Sequence, residues 1–156
     1  METIFTQANY PVTVLQPVAD RYNANPSSGR VNMALVDHVC FLLAEGAGGV
    51  GTAKLTVEAR MEDDSDPILV KFWVRATPAA SRVFGDLIRV DVPATGYTTI
   101  AGASKLIAIE VQGVGVPEDH PLVDVLVTEV VNSPVDAGII AIAHRERYAG
   151  LNSPTP

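Results

Sequence analysis

Alternation at a period of two is the feature that most restricts what this chain can fold into. From Thr52 to Arg60, Ala53, Leu55, Val57 and Ala59 alternate with Lys54, Thr56, Glu58 and Arg60. Successive side chains of a strand point to opposite faces, so this stretch predicts a strand with one apolar and one polar face. Leu106–Gln112 repeats the pattern with Ile107, Ile109 and Val111. Leu122–Val131 does so with Val123, Val125 and Val127, and turns Asp124 and Thr128 the other way. No long stretch carries a 3.6 period with caps. Helix is therefore expected only as one short turn over Ala79–Leu87, after Pro78.

Further strands are predicted at Val12–Val18, Leu35–Leu43, Ile68–Arg75, Leu87–Val92 and Gly138–Ala143, and the second half of Leu35–Leu43 is apolar on both faces. About eight strands separated by Gly, Pro, Asn and Asp predict an all-β fold, an antiparallel β-sandwich of jelly-roll or Ig-like type. The 156 residues, 47% of them hydrophobic, suffice for one core. The expected division is an N-terminal arm or first strand with an exposed loop (1–34), a β-sandwich (35–150) and a mobile tail (151–156). The exposed loop is placed at Asn23–Arg30.

Eleven Lys and Arg against 18 Asp and Glu give a net charge of −7. Phosphate affinity comes from clustered basic side chains, so a nucleic-acid partner is not expected. Nor is a membrane partner, because no apolar run reaches the length of a span. The N-terminus lacks the pattern of a signal peptide, which predicts a cytoplasmic site of synthesis. Cys40, the single cysteine, lies within Val39-Cys40-Phe41-Leu42-Leu43 and reads as a buried, inert thiol.

Candidate chemistry is thin. Gly46–Gly51 fits G-x-G-x-x-G, but a strand follows it rather than a helix, so no helix terminus is available for a pyrophosphate. It reads as a flexible hairpin loop. Glu62, Asp63, Asp64 and Asp66 are dense enough to suggest Ca²⁺, yet lack an EF-hand's central glycine and terminal glutamate. His38, His120 and His144 show no ligand spacing. No serine stands in a nucleophile-elbow context. The expectation is no enzyme, no cofactor and no metal. One of Phe72 and Trp73 should fill the core while the other packs at an edge or interface. Arg145, Glu146, Arg147 and Tyr148 close the last strand with the residue types favoured in protein contacts. Asn23, Arg30, Arg145, Arg147 and Tyr148 are the candidate protein-interface residues.

Three stretches carry a family resemblance: FLLAEGAGGVGTAKLTVEA from Phe41, GYTTIAGA from Gly96 and LVTEVVNSPVD from Leu126. In order and wording they resemble small virion structural proteins of tailed bacteriophages, over roughly residues 35 to 149. The resemblance implies a head decoration (cement) protein on the outer capsid surface. Its partners would be the major capsid protein and other copies of itself, as dimers or trimers. Alternative readings are a tail or head–tail connector component, or a carbohydrate-binding sandwich that attaches to a host surface.

Overall fold

Strands that are apolar on one face must bury that face, and this chain does so by stacking two antiparallel sheets. The computed structural model describes Phe5 and residues 9–48, 50–78 and 81–146, with Arg145 and Glu146 as backbone only. The six-stranded sheet contains β1 (Asn9–Val18), β3 (Val36–Glu45), β6 (Phe72–Ala76), β7 (Ile88–Val90), β9 (Lys105–Gln112) and β11 (Ala137–Glu146). Their order is β1-β11-β3-β9-β6-β7. The second sheet contains β2 (Val31–Asn32), β4 (Thr52–Arg60), β5 (Ile68–Val70) and β10 (Leu122–Val131), in the order β2-β10-β4-β5. The two-residue β8 (Tyr97–Thr98) joins it through β4.

The pairs nest. β1 lies against β11, β2 against β10, β3 against β9, and β4 against β5. The outer three pairs of that nest alternate between the two sheets. This is the pairing of a jelly roll, so of the two sandwich types expected, the jelly roll is the one found. β6 and β7 extend its larger sheet beyond β9.

The predicted phases hold. Ala53, Leu55, Val57 and Ala59 are fully buried, as are Val123, Val125 and Val127. Between the sheets they meet Val39, Phe41 and Leu43 of β3, Ile107, Ile109 and Val111 of β9, and Ile139 and Ala141 of β11. Phe72 fills the core and Trp73, on the next residue, does not.

Three expectations change. The Ile68–Arg75 strand is two strands, β5 and β6, which lie in different sheets with Lys71 between them. The stretch 81–87 forms no helical turn. It is a loop joining β6 to β7, and it is stitched back to β6 by Gly85 N–H to the Ala76 carbonyl and by Arg75 Nε–H to the Gly85 carbonyl. Ala79 and Ala80 lie outside the described residues.

The glycine-rich loop is no hairpin. β3 and β4 on either side of it belong to different sheets, so the loop arches over the end of the sandwich. It is also packed. A Cβ on Gly51 would stand 2.3 Å from the Ser133 carbonyl oxygen, and Gly46 and Ala47 exchange backbone hydrogen bonds with Asp136. The exposed loop Asn23–Arg30 has Asn23, Ala24, Asn25, Ser27 and Gly29 exposed, and it lies along β10. Ser28 is buried, its N–H bonds the Val125 carbonyl, and its hydroxyl accepts from the Val125 N–H.

Candidate protein-binding face

In an antiparallel sandwich the outer face of each sheet is expected to be polar. The six-stranded sheet departs from this. Its register aligns outward-facing residues in rows that run across the strands. One row is Pro11, Ile142, Cys40, Glu110, Trp73 and Arg89; the next is Thr13, Ile140, Leu42, Ala108 and Arg75. Below them come Gly138, Ala44 and Leu106, and above them Asn9, His144, His38 and Gln112. The middle of this face is apolar, and among the described residues no strand packs over it. Ile140 is 45% exposed. Leu42, Ile142, Leu106 and Trp73 are half-buried.

The face has relief. Small residues at Gly138 and Ala44 leave a groove of about 530 Å³, bordered by Leu15, Pro17 and Ile140. Gly138 is required there: a Cβ would stand 2.9 Å from the Pro17 backbone. Ile140, Ile142 and Leu42 rise beside the groove as a ridge. Charge lies toward the borders except for Glu110, which stands next to Cys40 across β3 and β9. Glu110 reaches His38 at 3.1 Å, and the Arg89 guanidinium lies 5.4 Å from the centre of the Trp73 ring. Asn9 holds the His144 ring at 2.7 Å.

Cys40 sits on this face, in its centre, rather than in the core. The unbroken apolar run around it gives no polar residue from which a phase could be read. Burial, and secondarily the Glu110 carboxylate, push its thiol up to about 12. It is therefore a poor nucleophile at neutral pH.

The sequence-derived interface residues do not form one surface. Asn23 lies beside the start of β11, through Arg21 N–H to the Val135 carbonyl, and it bonds Asp20. Arg145 lies near the other end of β11. At about 3.4 Å per residue, the two ends of that strand are roughly 30 Å apart. Arg147 and Tyr148 lie outside the described residues.

Arg30 is engaged within the chain. It reaches Asp64 at 2.7 Å and Asp124 at 3.9 Å, beside Arg60, whose Nε is 3.6 Å from Asp124. These contacts clamp the acidic turn, Met61–Pro67, to the outer side of the smaller sheet. They also place two guanidinium groups beside that turn's carboxylates, which opposes cation binding. Among the described residues, no group of three or more His, Cys, Asp or Glu side chains is arranged to hold a metal.

Asp124 itself is fully buried, and its carboxylate accepts no hydrogen bond among the described residues. Burial pushes it up to about 6, against the pull of Arg60 and Arg30. A folded-state value above the unfolded 3.8 means that the folded chain takes up the proton first. The resulting stabilisation is complete below the unfolded value and is lost as pH rises through about 6. Urea midpoints measured from pH 4 to 7.5 should carry this component, on the order of 2–3 kcal/mol. Asp124→Asn should flatten it. An unchanged slope in that variant would show that another group titrates.

Comparison with family models, with curated proteins and with solved structures gives no match. The outer-face residues were only half legible in sequence. The signal was the loss of alternation in Val39–Leu43 and in Gly138–Ala143, which marks strands that are apolar on both sides.

Proposed function

We propose that this chain is a non-catalytic structural protein whose partner is other protein, working as a decoration protein that binds and stabilises the capsid lattice of a tailed phage. The observation that carries the protein-binding part is the apolar outer face of the six-stranded sheet. A contiguous exposed patch of a few hundred Å² or more marks an interaction site on a soluble domain. A broad, open sheet face suits a protein surface better than a small molecule, which is usually held with most of its surface enclosed. The phage part is supported by the resemblance of Phe41–Ala59, Gly96–Ala103 and Leu126–Asp136, and by a jelly roll being an architecture that capsid proteins use. That second support is analogy, since one fold hosts many functions.

A lattice repeats each contact many times, so modest affinity per copy is sufficient. The carbohydrate-binding alternative draws less support. Trp73 is the one Trp, Tyr or Phe in the rows of the face, and Arg89 already lies against its ring.

The test is addition of the purified chain to phage heads prepared without it. Binding should be seen as saturable co-sedimentation with heads and as a rise in the temperature at which they release DNA. Absence of binding to heads, with binding to isolated tails instead, would move the protein to the tail or connector.

A further inference from the structure

We infer that the apolar outer face of the six-stranded sheet is a two-fold dimer interface, covered by the same face of a second copy. This deepens the proposal above, resting on its reading of the face as protein-binding, and commits to one occupant.

Three observations favour a second copy. The first is charge. A chain of net −7 repels its own kind, so self-association needs a face poor in acids. Glu110 is the one carboxylate in the rows described and Asp136 lines the groove at its end, while Arg75 and Arg89 stand on the Glu110 flank. The second is shape. An isologous contact needs both halves of a complementary pair on one surface. This face supplies them, with the Ile140–Leu42 ridge directly beside the groove over Gly138 and Ala44. The third is size. Rows about 7 Å apart and strands about 4.8 Å apart make the face roughly 25 Å on a side. That is on the order of 600 Å², close to the ~800 Å² per partner of a standard interface.

The centre of the apolar field lies on β3 between Cys40 and Leu42, with β11 on one side and β9 on the other. A two-fold axis that seats each copy's ridge in the other's groove lies between the Leu42 and Ala44 rows, about 10 Å along β3 from Cys40, so the contact extends over Cys40 without bringing the two thiols together. Dimer formation therefore covers both thiols.

The experiment uses the full chain. Light scattering on a sizing column should give twice the chain mass at 100 µM. Leu42→Glu and Ile140→Glu should each give the monomer mass with an unchanged far-UV spectrum. Val114→Glu, at a residue 90% exposed and outside these rows, should remain dimeric. A second readout needs no variant. Modification of Cys40 by a thiol reagent should slow at least tenfold between dilute monomer and concentrated chain.

A wild-type monomer at 100 µM would overturn the inference. So would a dimer that persists in both glutamate variants, or a Cys40 rate independent of concentration. Head binding separates this failure from that of the function. A monomer that binds heads and loses binding in Ile140→Glu keeps the function and overturns the dimer. A dimer that ignores heads keeps the dimer and overturns the function.

Discussion

Lys105→Met is expected to lower the stability of this chain by about 3–5 kcal/mol, because it leaves a buried carboxylate without its counter-charge. Lys105 and Glu45 face each other across β9 and β3, on the inner side of the sheet, at the end of the pair. Their charged groups are 2.6 Å apart and almost wholly excluded from water. Tyr22, brought in by the short 3-10 turn Arg21–Ala24, donates its hydroxyl to the other Glu45 oxygen. Burial, reinforced by Glu45, raises that phenol well above its ordinary range, so it stays a donor at any physiological pH.

In a chain of this size the loss should appear as a fall in Tm of roughly 6–20 °C. Glu45→Gln combined with Lys105→Met removes both charges and should recover a large part of it, since it is the orphaned charge rather than the missing attraction that costs most. Thermal unfolding of the single and double variants decides the matter. A Lys105→Met chain that melts with the wild type would mean the pair is hydrated in solution.

Much of the fold was legible because strands report their own phase. β4 and β10 were predicted with the bounds they have, since β4 alternates over nine residues and β10 keeps Val123, Val125 and Val127 in one phase. What failed was what periodicity cannot encode. Leu69, Val70, Lys71 and Phe72 alternate exposed and buried without interruption, although the chain changes sheet there. A strand that crosses between sheets while keeping its phase looks like one strand. β2 and β8, at two residues each, are too short to show a period at all. The glycine-rich loop was misread as a hairpin for a related reason, since spacing does not say whether the flanking strands share a sheet. Likewise the Glu45–Lys105 pair joins residues far apart in sequence, and nothing local in either marks the other as its partner.

β3 offers the sharpest contrast between what the core demands and what the outer face demands, because adjacent residues answer to different partners. Phe41 is fully buried between the sheets, while Leu42 points out of the sandwich and is half-buried. Phe41→Ala should cost about 3–5 kcal/mol, the usual range for emptying an aromatic site in a packed interior. That cost should be the same at every protein concentration. Leu42→Ala should cost under about 1.5 kcal/mol in the dilute monomer, since only part of the side chain leaves water on folding. Its full effect should emerge on raising the concentration, because stability gained from a bound copy depends on mass action. Urea unfolding at 0.5 and 100 µM therefore separates the two. The Phe41→Ala midpoint should stay a constant distance below that of the wild type. The gap for Leu42→Ala should widen with concentration, and a gap that stays fixed would mean the outer face of β3 meets only water.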